Sequence, residues 1–318
     1  MQKHLRSGVG TIPRVTRRRV FTEALNPNFG YFYTINKTLQ KGRTEFQEFE
    51  LVDTDEFGTV LLLDNITQVA ERNDSHYHEP MVHPALCCHP KPQHVLVIGG
   101  GDGGILREVL KYPSVKKVDL AELDAKVISF SRKYLKSVHN NSLDDPRVNI
   151  QVVDGRAFTE AHPAEYDVII MDMTDPYGPS KMLYTKEFFR KVKRAFRNQN
   201  GIFIMHSESP VSRPRAFGCI QKTLRSVFKN VNPFYLYIQM YAVLWSITMC
   251  SDIIDASVVK AKAVDKKLQK SGIDGLQVYS GQTHVSMQVQ FPYIGQILNR
   301  PARIITDARP DFPDNFIS

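Results

Sequence analysis

Cysteine is scarce in this chain: its 318 residues hold four, Cys87, Cys88, Cys219 and Cys250, too few and too scattered for a disulfide framework. A small stapled scaffold is thereby excluded, and a reducing compartment fits. Zinc-type spacing is missing too. His76, His78, His83 and His89 lie near Cys87 and Cys88 without a CxxC or HxxxH repeat, so no metal is expected. No apolar run approaches the roughly 20 residues of a membrane span, so no membrane partner is expected. Internal repeats are absent. Acids are absent before Glu23, whereas Lys3, Arg6, Arg14, Arg17, Arg18 and Arg19 precede it. The stretch lacks an amphipathic pattern, so residues 1–19 read as a flexible basic tail on a cytoplasmic protein, with a transit peptide the alternative.

What is present is ordinary for a globular protein, with 42% hydrophobic and 23% charged residues. The length allows one large domain or two unequal ones. A net charge of +8 raises the possibility of an acidic partner such as nucleic acid. Much of that excess lies in the tail and in Lys186–Arg197. There Phe188, Phe189, Val192 and Phe196 recur at helical spacing, which makes the basic residues the solvated face of a core-packing helix. No nucleic-acid partner is expected.

Residues 20–72 carry short alternating runs, Tyr31–Ile35, Glu45–Asp53 and Gly58–Asp64, whose connections are too short for parallel crossovers; a small antiparallel β-domain is expected. Asn73–Cys88 reads as a helix interrupted near Pro80 and Pro84. Over residues 73–318 the pattern becomes α/β. Strands are expected at His94–Ile98, Val115–Leu123, Val148–Val153, Tyr166–Met171 and Gly201–His206, and helices at Ile105–Lys111, Asp124–Leu135, Lys186–Arg197 and Arg213–Phe228. This alternation predicts a Rossmann-like, doubly wound parallel sheet of the methyltransferase type. Val231–Ile238 and Leu244–Cys250 would add an antiparallel edge. Ser257–Ser271 has helical spacing, and the tail from Ile273 onward reads as irregular, with no chemistry of its own.

The chemistry lies at strand ends. Gly99, Gly101 and Gly104 form GxGxxG between a strand and a helix, a turn shared by dinucleotide and adenosyl-sulfonium enzymes. Asp102 within it would repel pyrophosphate and attract a cation. Glu122 ends the second strand, where a carboxylate can accept from both ribose hydroxyls, and Asp154 with Gly155 ends the third, within reach of an adenine amino group. Asp172 and Asp175 follow the fourth. Acids at four successive strand ends describe a site for a cationic adenosine beside a second cation, which a sulfonium donor and an amine acceptor satisfy. An amine of about pKa 10 must lose a proton to attack, and a lone Asp at about 3.9 is a weak base. Two close acids raise one another's pKa and burial adds to this, so Asp172 is expected to accept the proton while Asp175 binds and orients the amine.

The segments FQ (Phe46, Gln47), VLLLDN (Val60–Asn65), SHYHE (Ser75–Glu79), IGGGDGGILREVLKYPSV, ELD (Glu122–Asp124), VDG (Val153–Gly155) and DMTDPYGPSKMLYTKEFF, in this order, resemble the spermidine synthases, the polyamine aminopropyltransferases. The likeness spans roughly Thr22–Ser251 and continues faintly to Leu298. It implies an N-terminal β-domain before a Rossmann-like domain, and transfer of an aminopropyl group from decarboxylated S-adenosylmethionine to an amine with release of methylthioadenosine. No permanently bound cofactor is implied. Gln47, His78, Asp102, Glu122 and Asp154 would bind the donor with Gly155 beside its adenine; Tyr77, Asp172, Asp175 and Tyr241 would surround the acceptor, with Tyr77 and Asp172 at the reacting end. Relatives are commonly dimers or tetramers, so a homo-oligomer is implied.

Departures fall on the acceptor side. Met173 and Thr174 stand where the family often has Ser-Ser, Ile238–Leu244 lacks the Pro and Gly of IPTYPSG, and His206, Ser207 and Glu208 replace QGE. Glu208 would hold a distal amine, or is a solvated strand-end acid. Putrescine is the first choice of acceptor, with agmatine, cadaverine or a longer polyamine open. An S-adenosylmethionine-dependent methyltransferase and a non-catalytic, nucleic-acid-binding relative are the rival readings.

Overall fold

The computed structural model of the protein describes residues 18–176 and 178–313, so nearly all of the basic tail lies outside the described residues. β1 (Arg19–Asn26) and β2 (Phe29–Ile35) pair as an antiparallel hairpin. β3 (Lys37–Arg43), β4 (Glu48–Thr54), β5 (Gly58–Leu63) and β6 (Ile66–Ala70) form a separate antiparallel sheet in that order. Asp64 and Asn65 turn the chain between β5 and β6 with φ of 49° and 60°, the left-handed pair that a two-residue hairpin requires. The expected single β-region is therefore two sheets. β3 escaped the sequence pattern because one face and nearly all of the other are exposed, so alternation has nothing to mark.

α1 (Ser75–Cys88) runs without a break through Pro80 and Pro84, contrary to expectation. Each proline removes one helical hydrogen bond, but residues 77–86 are all buried, and packing holds the helix together. The chain then alternates: β7 (His94–Gly99), α2 (Gly104–Leu110), β8 (Lys117–Glu122), α3 (Ala125–Tyr134), α4 (Lys136–His139), β9 (Val148–Val152), α5 (Gly155–Ala161), β10 (Val168–Asp172), α6 (Lys186–Ala195), β11 (Ile202–His206) and α7 (Pro214–Arg225). β12 (Asn230–Ile238) and β13 (Val243–Ser251) follow.

These strands make one sheet in the order β12-β13-β11-β10-β7-β8-β9, parallel from β11 to β9, with β13 and β12 antiparallel at one end. The order reverses between β7 and β10, because the chain winds outward through β8 and β9 and then returns to the other side of β7. Such a switch point opens a crevice at the carboxyl ends. Alternate residues feed the two faces: Val95, Val97, Val168 and Ile170 join the core under α1 and α2, and Leu96, Ile98, Ile169 and Met171 join the core under α6. Both faces are covered, which is why these segments read as unbroken apolar runs.

The C-terminal region holds a helix within the helical spacing of Ser257–Ser271, and from Ile273 onward it is more ordered than its prolines suggested. α8 (Ala261–Lys270), α9 (Gly281–Ser286) and α10 (Pro292–Leu298) are helical, Pro292 standing at the first turn of α10, where its missing N–H costs nothing. Asp307 accepts from Arg156 at 2.5 and 3.0 Å and from the Thr185 hydroxyl at 2.6 Å. The buried Glu79 carboxylate on α1 accepts the backbone N–H groups of Gln277, Val278 and Tyr279, each at 2.8 Å. Replacing Glu79 by Ala strands three donors against α1, and a loss of about 3 kcal/mol in urea-unfolding free energy is expected.

Candidate active site

Backbone register brings the strand-end acids to one level. Asp172 is the lateral partner of Gly99, and Ile98 of Ala121, so β10, β7 and β8 end side by side. Gly99 has φ +77°, and a Cβ there would lie 2.0 Å from the Asp172 carbonyl oxygen. Only glycine lets the turn pass this closely. Glu122 accepts from Gly101 N at 3.1 Å and from Asp124 N at 2.9 Å, and burial pushes its carboxyl up to about 7 against these bonds. Asp102 accepts from Gly104 N at 2.7 Å, and Asp154 caps α5 by accepting from Ala157 N at 2.8 Å.

α1 supplies the opposite wall. Tyr77 donates its hydroxyl to Asp172 Oδ1 at 2.6 Å. The His78 ring sits with Nδ1 2.8 Å from Asp74 Oδ2 and Nε2 3.6 Å from Asp102 Oδ1, and Arg107 pairs with Asp74 at 2.8 Å. Burial disfavours the imidazolium, but the hydrogen bond to Asp74 and the charges of Asp102 and Asp74 outweigh it, so His78 is held above its ordinary pKa. His78, Asp102 and Asp172 each present an atom within 4.8 Å of the others.

Two cavities meet at Tyr77 and Tyr241. The larger, of about 500 Å³, is lined by Gln47, His78, Gly99, Gly101, Asp102 and Glu122, and also by Asp154, Gly155 and Asp172. The smaller, of about 350 Å³, is lined by Asp175, Glu208, Glu23, Arg213 and Trp245. Gln68, Met173 and Thr174 border both. Tyr241 donates to the Gln68 carbonyl at 2.9 Å and meets Tyr77 edge to face at 6.0 Å, so it is a wall shared by the two cavities as well as a packed aromatic.

The acid pair departs from expectation in one respect. Burial raises Asp172, with Asp102 the next cause, and His78 and the Tyr77 hydrogen bond oppose it. Burial also raises Asp175, opposed by Arg213 and a hydrogen bond from Glu208. Desolvation, rather than mutual repulsion within the pair, dominates, because the two carboxyls face different cavities.

The comparisons with known proteins agree along the chain. Residues 74–261 match the model of the spermine/spermidine synthase domain, and residues 19–71 that of the spermidine synthase tetramerisation domain. The chain belongs to the spermine/spermidine synthase family. A polyamine aminopropyltransferase of Nitrosomonas europaea is 37% identical over 285 residues, covering 90% of this chain and 87% of that one. One of Bacillus subtilis is 41% identical over 241 residues, 76% of this chain and 87% of its own. Among solved structures, spermidine synthase in complex with the transition state analogue AdoDATO matches with a TM-score of 0.83 and 32% identity over 90% of this chain and 98% of that chain. Spermidine synthase from Thermotoga maritima matches at 0.81 and 32% over 91% and 99%.

The protein is thus a transferase of the aminopropyltransferase class with a Rossmann-like fold preceded by antiparallel sheets, and the methyltransferase and non-catalytic readings are set aside. Sequence reasoning missed several lining residues of this family member. Glu23, on the hairpin, accepts from Tyr31 and from Thr67 N, each at 2.8 Å, and burial pushes it up to about 7. It is the first acid of the chain, and only its partners on β2 and β6 mark it as part of the site. Gln68 and Arg213 carry no local signal. His206, buried with Nε2 2.7 Å from the Met173 carbonyl and lowered by burial to about 4, is a neutral ring that fixes the segment between the two acids. Asp74→Asn removes the main support of the His78 imidazolium; its ring is expected to titrate lower than in the parent protein, read by histidine NMR.

Proposed function

We propose that the protein moves the aminopropyl group of decarboxylated S-adenosylmethionine to an amine, with putrescine as acceptor and spermidine and methylthioadenosine as products. The observation that carries this reading is the meeting of two acid-lined cavities at Tyr77 and Tyr241, with Asp172 lining the larger one and bonded to Tyr77. One fits an adenosine bearing positive charge, and the other a diamine. In the larger cavity Glu122 would accept from the ribose hydroxyls, Asp154 from the adenine amino group beside Gly155, and Gln47, His78 and Asp102 would face the aminopropyl end. Gly99 and Gly101 allow the close backbone approach. No permanently bound cofactor is invoked.

In the reaction the acceptor nitrogen attacks the carbon attached to sulfur. The N–C bond forms, the C–S bond breaks, and the sulfonium leaves as a neutral thioether. The nitrogen proton passes to Asp172. Tyr77 occupies Oδ1, leaving Oδ2 for the amine, and the upward shift of the buried carboxyl makes it a better base than a solvated Asp. Asp175, Tyr241 and Glu208 would orient the acceptor, with Glu23 at the far wall. Agmatine, cadaverine and longer polyamines are the competing acceptors.

We further infer a homo-oligomer, dimer or tetramer. The match to the tetramerisation domain and the exposed Val20, Phe29 and Phe32 on the hairpin support it. A cytoplasmic location and the absence of nucleic-acid and membrane partners complete the reading; among the described residues no helix is long and apolar enough to cross a membrane.

Incubation with the decarboxylated donor and a panel of amines, followed by mass identification of products, tests the reading. Spermidine and methylthioadenosine are expected from putrescine, and silence with every diamine would defeat it. Asp172→Asn is expected to lower turnover at least about 100-fold while changing donor affinity little; equal losses in both would remove Asp172 as the base.

A further inference from the structure

Asp74 stands at the N-cap of α1, yet its side chain makes no capping hydrogen bond to the helix it opens. A carboxylate in this place ordinarily satisfies one of the first free N–H groups. Here it is committed elsewhere. Asp74 Oδ2 lies 2.8 Å from His78 Nδ1, one turn on, and 2.8 Å from Arg107 Nη2 on α2. Arg107 is fixed in turn, since its Nε donates to Glu108 Oε1 at 2.8 Å and its Nη1 to the Val138 carbonyl at 2.6 Å. The His78 ring, 1% exposed, is therefore held from behind by an acid that is itself held in place.

The glycine turn confines the ring from the other side. A Cβ at Gly104 would lie 2.1 to 2.5 Å from three ring atoms, so the imidazole rests on that backbone. Its Nε2 stands 3.6 Å from Asp102 Oδ1, and His78, Asp102 and Asp172 all line the larger cavity. An ammonium seated among these three takes the place of a proton on Nε2. Burial and the Arg107 charge already disfavour the imidazolium, and the ammonium offsets the Asp102 charge that helps to sustain it. The ring is then neutral. Because Asp74 keeps the Nδ1 proton, the lone pair is on Nε2 and faces the cation. Without Asp74 the proton is free to sit on Nε2, which would point an N–H at the ammonium.

Resting on the aminopropyl-transfer reading, we propose that Asp74 is a positioning residue for donor recognition: it fixes the orientation and tautomer of His78, so that Nε2 and the Asp102 carboxylate together grip the ammonium of the donor's aminopropyl arm. Asp74 acts through His78 and touches neither substrate. Methylthioadenosine lacks that ammonium, so its binding does not depend on Asp74.

The test measures, by calorimetry, the binding of the decarboxylated donor and of methylthioadenosine to the parent protein, Asp74→Ala and Asp74→Asn. Asp74→Ala is expected to weaken the donor at least about tenfold and to leave methylthioadenosine within about twofold, which also shows that the variant is folded. Asp74→Asn is expected to recover most of the donor affinity. The oxygen shared by His78 and Arg107 faces two donors, so the amide oxygen takes that place and still accepts from Nδ1, although without the charge that favours the imidazolium. Equal losses for both ligands in Asp74→Ala overturn the proposal, because a general disturbance of α1 predicts them. So does Asp74→Ala with the donor affinity of the parent, or Asp74→Asn no better than Asp74→Ala. Those outcomes leave aminopropyl transfer standing, whereas a parent protein that does not bind the donor removes both.

Discussion

The constraint on which this structure turns is the cost of keeping several carboxyl groups close together and away from water. Each buried acid would neutralise itself or leave the interior unless something compensated it. The compensation differs from residue to residue. Two backbone N–H groups hold Glu122, one holds Asp102, the Tyr77 hydroxyl holds Asp172, and Arg213 and Glu208 hold Asp175. His78, itself gripped by Asp74 and held above its ordinary pKa, lies next to Asp102 and opposes the upward shift of Asp172. The glycine turn, the unbroken α1 and the hairpin bearing Glu23 all serve this arrangement.

Such a site is preorganised for positive charge. The upward shifts of Glu122, Asp172, Asp175 and Glu23 record the free energy of desolvation, which a bound cation would lower by stabilising the ionised forms. The sheet provides the rigidity. Carboxyl ends of parallel strands at a switch point are fixed by ladders on both sides, so the acids cannot move apart to relieve their repulsion. The C-terminal region adds support from outside, through Glu79 on α1 and through Asp307, which holds Arg156 at the rim of the larger cavity.

Much of this is legible in the sequence. The apolar runs at β7, β10 and β11 announced a sheet covered on both faces, and the acids at strand ends raised the expectation of a cation site. The glycine turn located its entrance. Less legible were features that depend on distant partners. β3 has no buried face to impose a period, and α1 crosses two prolines because its burial outweighs two lost bonds. The helices after Ile273 are short and α10 begins at a proline, so local propensity argued against them. In the site, Glu23, Gln68 and Arg213 looked unremarkable in sequence because they come from three separate elements.

Sequence by itself determined the fold class, the family and the set of acids, since period, glycine placement and ordered motifs are local properties of the chain. Tertiary structure alone decided which acids share a cavity. Asp172 and Asp175 stand three residues apart, yet they face different cavities, and the partner nearest in effect to Asp172 is Asp102 from the glycine turn after β7. The reason is physical: a carboxyl's ionisation responds to its desolvation and to the charges around it in space, and both are set by packing between elements that the chain brings together only on folding.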